Sequence, residues 1–359
     1  MDFGLTDEQL QLQSAIRDFV RSEYAGAKRR EFFDGDAGHD AALWSGLMEV
    51  GVGGVLVPEA FGGAGLDLLD AALIAEVLGE AAFAGPFLGH VLATLAIVRG
   101  GDEAQRERWL PRLASGESIG TIAFAEAGGV WEPERWTATI AHDRVQGAKD
   151  YVLAGAVADV VVVGLRGGGL AVVESAAGGV EAKAYDGSDR TRRLDQLRFR
   201  DAPAALLAGG PEVSSAIRDA GLVLLSADAF GGASTLVEAC VDYARTREQF
   251  DRPIGSFQAV KHQLADLALR TETSRGLLWY AAYAFDAVPE ESERTAALAK
   301  AHFADRFMQT ARDAVGLHGG IGFTWECDVQ IWFKRALFDR AYLGTPDHHR
   351  ERAAALAGW

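Results

Sequence analysis

The chain has 359 residues, 49% apolar and 24% charged, the proportions of an ordinary globular protein with room for two or three domains and a sizeable core. Asp and Glu number 51 against 35 Lys and Arg, and the resulting net charge of -16 opposes binding to nucleic acid or an anionic membrane, so any anionic ligand must be held by local groups. The two cysteines, Cys240 and Cys327, are too few for a disulfide framework and lack metal-ligand spacing; they read as buried structural thiols.

The first residues are acidic and polar, unlike a signal or transit peptide, and no stretch offers about 18 consecutive apolar residues, so the expectation is a cytoplasmic protein. Thr6 followed by Gln9 reads as a capping box, after which Leu10, Leu12, Ile16, Phe19 and Val20 recur near helical spacing. Helical patterns continue to about residue 117, interrupted by the glycine-rich turn VPEAFGGAGLD. From 118 to 208 the period changes: TIAFAEA, WTATIAHD, DYVLAG, DVVVVGL and LAVVES are short, rich in β-branched residues and separated by turn formers, which predicts a compact middle β domain. Helices return from 209 to 359. Ala229, Ala233, Leu236, Val237, Cys240, Val241 and Ala244 mark one apolar face, and Val260, Leu264, Leu267, Ser274 and Leu278 mark another. An order of helices, strands and helices predicts an α+β fold of three segments and opposes a doubly wound sheet, which would alternate the two.

Glycine-rich stretches such as GVGGVL lack the third glycine and the strand-turn-helix setting of a dinucleotide fingerprint, and no P-loop occurs. The eight histidines fit no zinc spacing, so no metal is expected; His348 and His349 lie on different sides of a helix and read as a solvated pair. Two stretches of the last third are more specific. YARTREQFDRPIGSFQAVKHQLADL (243–267) ends one helix, crosses a Pro-Ile-Gly loop and starts the next helix at Phe257 and Gln258. In GLHGGIGFTWECDVQIWFKRA, Gly319, Gly320 and Gly322 interrupt a helix and let a ligand approach the backbone.

Together these stretches resemble the acyl-CoA dehydrogenase family, whose Arg-x-x-Phe, Pro-Ile-x-x-Phe-Gln and Gly-Gly-x-Gly-Phe runs occur in this order and at about this separation. LTDEQLQLQSAIRDFV and GVGGVLVPEAFGGAGLDLLDAALIAEVLGE resemble the family's opening helices, so the likeness covers nearly the whole chain. It implies an N-terminal helical domain (1–117), a middle β-barrel or β-sandwich domain (118–208) and a C-terminal four-helix bundle (209–359). It also implies FAD, bound with part of the site supplied by a neighbouring subunit, and oxidation of the Cα–Cβ bond of an acyl-CoA thioester, with an electron-transferring flavoprotein as acceptor. Carried over by position, Arg247 meets the flavin pyrophosphate across a subunit interface, Phe250 and Gln258 line the adenosine side, and Leu317, His318, Gly319 and Gly320 pass the pyrophosphate of the opposite flavin, with Thr345 also at the cofactor. IAFAEAGG and the stretch from Tyr151 to Leu153 take the places of strands that contact the isoalloxazine.

The chain departs from the family where the proton is removed. The usual glutamate lies between a Tyr and a Gly-Thr pair near the C-terminus, and here that place is Leu343, which has no lone pair. The alternative family position, on an earlier bundle helix, is Gly221; the nearest carboxylates are Asp228, a candidate base, and Asp219, read as a helix cap. Trp131 takes a place usually held by a small residue, and Pro346 and Asp347 replace a Ser-Gln pair. This combination resembles one subunit of the heteromeric α2β2 bacterial acyl-CoA dehydrogenases associated with steroid side-chain shortening, in which a partner chain keeps the glutamate. Two other readings stand beside it: an autonomous, homo-oligomeric enzyme using Asp228, and a non-catalytic scaffold.

Overall fold

The structure is a computed structural model that describes residues 4–35 and 38–359; the first three residues, part of the acidic start read above, lie outside them. Helix α1 (Asp7–Glu23) opens on the expected capping box, with the Gln9 N–H donating to Thr6 Oγ1 at 3.2 Å and the Thr6 N–H to Gln9 Oε1 at 3.1 Å. Then come α2 (Gly26–Asp34), α3 (Ala41–Glu49), α4 (Leu68–Glu80), α5 (Phe87–Gly100) and α6 (Glu103–Ala114). Almost wholly buried, α5 is pinned through His90. The His90 Nε2–H donates to the Leu113 carbonyl at 3.0 Å while Nδ1 accepts from the Gly120 N–H at 3.2 Å, a pairing that needs the neutral ring.

Strands β1 (Gly120–Ala123), β2 (Thr139–Ala141), β3 (Arg144–Leu153), β4 (Val160–Gly164), β5 (Leu170–Glu174), β6 (Val180–Ala184) and β7 (Leu194–Leu206) make one sheet in the order β1-β4-β5-β7-β3-β2, with β6 also on β7. The β1 and β4 pair is parallel and the other pairs of this sheet are antiparallel. Val145, Val161, Val163, Val173, Leu197 and Phe199 are the centre of its core. The run VVVV in β4 is buried on both faces, which is why it does not alternate with polar residues. In β3, Lys149 pairs with Leu197 but Val152 pairs with Asp195, so β3 carries one residue more than β7 over this interval. That bulge falls at Asp150 and Tyr151, and Tyr151 takes a left-handed φ of 53°.

Next, α7 (Gly210–Thr246) runs 37 residues without a break. Its most apolar stretch is largely buried, so its apolarity is that of a core helix. Because α7 starts at Gly210, Asp219 lies in its third turn, away from the helix start, and the Arg218 guanidinium reaches it at 3.0 Å, which corrects the capping expectation. A two-residue hairpin follows, β8 (Glu248–Gln249) with β9 (Arg252–Pro253). The last helices are α8 (Gln258–Glu272), α9 (Arg275–Ala287), α10 (Pro289–His318), α11 (Val329–Ala341) and α12 (Pro346–Leu356). The second apolar stripe read from the sequence is therefore split. Thr273 and Ser274 turn their hydroxyls back onto the Leu269 and Arg270 carbonyls, at 2.7 and 3.0 Å, where the helix gives way.

By its internal contacts the chain forms two compact units. One contains the residues up to Ile74 with Ala84–Gly221; the other contains Ala75–Phe83 with Leu222–Trp359.

Candidate active site

In the second unit, α11 ends at Ala341 and α12 starts at Pro346, so Tyr342 to Thr345 must reverse the chain in four residues. Leu343 takes φ 59° and Gly344 φ 105°. A buried leucine in the left-handed region is strained by about 1–2 kcal/mol, and the surroundings hold it there. Lys300 of α10 donates to the Tyr342 carbonyl at 2.8 Å and also to the Asp339 carbonyl. On the other side of the peptide, His349 Nε2–H donates to the Leu343 carbonyl at 2.8 Å. Thr345 caps α12, its hydroxyl accepting from the His348 N–H at 3.4 Å. The Leu343 side chain, 2% exposed, presents only hydrocarbon.

This turn corrects the solvated-pair reading, because His349 is fully buried. Burial, with the Lys300 charge beside it, pushes its pKa down to about 3, and burial likewise brings Lys300 down to about 7. His90 falls to about 4 through burial, its hydrogen bond to the Leu113 carbonyl opposing. Both histidines bind a proton less readily folded than unfolded, so below their unfolded value of roughly 6.5 the unfolded chain takes up more protons. Stability is therefore expected to fall as pH drops from about 6.5 towards 4, each histidine contributing roughly 1.4 kcal/mol per pH unit. His349→Gln keeps the donor and removes the titration. Chemical unfolding at pH 7 and pH 5 should show a smaller acid loss in this variant, and an unchanged loss would contradict a neutral buried ring.

Asp228, the candidate base, sits on α7 beside α4. The two helices touch through glycines: a Cβ on Gly79 would lie 2.2 Å from the Asp228 carbonyl oxygen, and one on Gly231 2.0 Å from that of Glu76. The Asp228 carboxylate accepts at both oxygens from Arg335 of α11, from Nε at 2.8 Å and from an Nη at 3.1 Å. The same guanidinium reaches the Phe83 carbonyl at 3.1 Å, and both side chains of the pair are buried. Such a fork engages both carboxylate oxygens as acceptors of charge-assisted hydrogen bonds.

The two motif loops look outward. Phe250 and Asp251, with φ 55° and 62°, form the turn of the β8–β9 hairpin, and Phe250 is 86% exposed at its tip. Arg247 is exposed, and its guanidinium makes no ion pair among the described residues. Gln258 is the exposed first residue of α8. His318 ends α10 with Nδ1 at 2.8 Å from the Ala314 carbonyl and its ring 4.3 Å from that of Tyr243, while Leu317 beside it is half-buried. Past the helix end, Gly319 and Gly320 are exposed, and a Cβ on either would meet nothing within 4 Å. No protein atom crowds either position, and the φ of 64° at Gly319, where α10 ends, is one that favours glycine.

In the first unit, Lys149 and Glu126 pair at 2.8 Å behind the segment that follows β1. Glu126 also accepts from the N–H groups of Thr137 and Ala138 and from the Thr137 hydroxyl. Burial works to raise the Glu126 carboxyl, but the hydrogen bonds from Lys149 and Thr137 outweigh it and leave the pKa lowered. Lys149 is pulled down to about 8 by burial. Tyr151 lies at the bulge, its ring 6.4 Å from Trp131.

Sequence reasoning missed Lys300, His349, Arg335 and the Glu126–Lys149 pair. The signal for Lys300 was a single charge inside the apolar run AALAKAHFA.

Residues 6–117 match the family described as acyl-CoA dehydrogenase, N-terminal domain, and residues 219–357 match acyl-CoA dehydrogenase, C-terminal domain. The chain is 32% identical to acyl-CoA dehydrogenase IpdE2 of Mycolicibacterium smegmatis over 352 residues, covering 98% of this chain and 99% of that protein. Butyryl-CoA dehydrogenase of Megasphaera elsdenii superposes with a TM-score of 0.90 at 26% identity over 100% of both chains. The Tcur3481–Tcur3483 steroid ACAD superposes at 0.91 with 29% identity over 98% of both. With the helix-sheet-helix order, the motif loops and these likenesses together, the chain belongs to the acyl-CoA dehydrogenase family of FAD-dependent oxidoreductases.

Proposed function

We propose that this chain is one subunit of a heteromeric acyl-CoA dehydrogenase acting on the CoA thioester of a bulky acyl group such as a steroid side chain, with the α-proton taken by a homologous partner chain. The observation that carries the reading is Leu343: a buried hydrocarbon in the Tyr-Leu-Gly-Thr turn, the stretch whose resemblance to the family would put a carboxylate at this position. Bound FAD would supply the acceptor for the β-hydride, and an electron-transferring flavoprotein would be the electron acceptor. On this chain, Arg247 would hold the pyrophosphate by its planar fork, with Phe250 and Gln258 along the adenosine, Leu317, His318, Gly319 and Gly320 near the pyrophosphate of the opposite flavin, and Thr345 also at the cofactor. The exposure of Arg247 and Phe250 supports their serving a neighbouring subunit, since Phe250 stays 86% exposed on its strained turn with only an edge contact to the Phe257 ring at 6.0 Å. The names of the relatives support the substrate class, one being a steroid ACAD. Asp228 keeps a structural role in this reading, because Arg335 occupies both of its oxygens.

The test is purification of the chain alone and with a co-expressed homologue that carries a carboxylate at the position of Leu343. The pair is expected to be yellow and to reduce an electron acceptor with acyl-CoA, the single chain to be inert. An active homo-oligomer of this chain alone would overturn the proposal.

A further inference from the structure

We propose that Tyr185, acting with Asp150 and Gln196, is the positioning group that holds the Tyr151 ring as a flat platform for a planar ring system. The proposal rests on the reading that Tyr151 contacts the flavin, and it adds residues outside that contact.

Tyr151 is the extra residue of the β3 bulge and has a left-handed backbone, an arrangement that a β-carbon disfavours and that neighbours must therefore impose. The neighbours are present. Tyr185, at the end of β6, stacks on Tyr151 with centroids 5.4 Å apart and planes at 25°. Its hydroxyl donates to Asp150 Oδ1 at 2.8 Å, and Gln196 of β7 donates to the same oxygen at 2.7 Å. The Asp150 backbone N–H reaches the Ala125 carbonyl at 2.9 Å, tying the bulge to the segment after β1. Two donors on one buried carboxylate oxygen leave Asp150 little freedom, and the ring stacked behind Tyr151 fixes its plane. Burial and the Asp150 carboxylate push the Tyr185 phenol up to about 12, as a hydroxyl donating to a carboxylate requires. Strain at a bulge, backed by a hydrogen-bonded aromatic, serves to aim a side chain.

The probe is FAD, titrated into the protein in the assembly that takes it up, with its fluorescence and its absorption band followed in each variant. Tyr151→Ala and Tyr185→Ala are both expected to weaken FAD binding roughly five- to tenfold and to raise the emission of the bound flavin. Tyr185→Phe keeps the stacked ring and loses the donor, so its shift should lie between wild type and Tyr185→Ala. If Tyr151→Ala moves the flavin signals while Tyr185→Ala and Tyr185→Phe lower the melting temperature alone, the positioning role is overturned and the contact stands. If Tyr151→Ala leaves the signals unmoved, the contact and the platform both fall. Should Tyr185→Ala not fold, Tyr185→Phe with Asp150→Ala decides by the same readout.

Discussion

Arg335→Met is expected to destabilise the protein by about 3–5 kcal/mol, because it leaves the Asp228 carboxylate buried without its guanidinium. The loss would be read as a lower midpoint of denaturant unfolding. Asp228→Asn should cost a similar amount, since the guanidinium then has a neutral partner. The double replacement Asp228→Leu with Arg335→Met removes both charges at once and should recover much of the stability. A cost below about 1 kcal/mol for Arg335→Met would show that the pair is solvated. These variants also bear on chemistry: a structural Asp228 predicts losses in stability, whereas a catalytic base predicts a fall in turnover at unchanged stability.

In the chain purified without a partner and loaded with FAD, Leu343→Glu is expected to raise acyl-CoA dehydrogenation by at least about 10² over the unsubstituted chain, the lower end of what a positioned base contributes. The strained turn already accepts a residue with a β-carbon, and Lys300 and His349 bond to backbone carbonyls, so the exchange leaves their contacts in place. Burial would raise the proton affinity of the new carboxylate, which suits a base working near neutral pH. The measurement is substrate-dependent dye reduction by flavin-loaded protein. Intact flavin with no gain in rate would mean that residue 343 does not stand over the α-carbon.

Much of the fold is legible in the sequence because its signals are local. The Thr6–Gln9 box, the change of period near residue 118 and the return of helices after the sheet all depend on neighbours a few residues apart. The family motifs are equally local, and they mark the exposed loops. Pairings across the chain are hidden. Arg335 and Asp228 are separated by 107 positions, and neither residue type announces the other. His349 reads as solvated because helical spacing alone does not reveal that the preceding turn folds a carbonyl back onto it. Nor is the left-handed hairpin at Phe250 and Asp251 foreseeable, because I′ turns favour glycine and asparagine.

The second unit is built from two distant pieces of chain, Ala75–Phe83 and Leu222–Trp359. During synthesis, at about 5–20 residues per second, the earlier piece emerges long before α7, α11 and Arg335 exist to receive it. For those seconds its apolar residues lack their final neighbours, so a fragment beginning at Leu222 would lack a native part, and the nascent N-terminal region is where chaperone binding should concentrate.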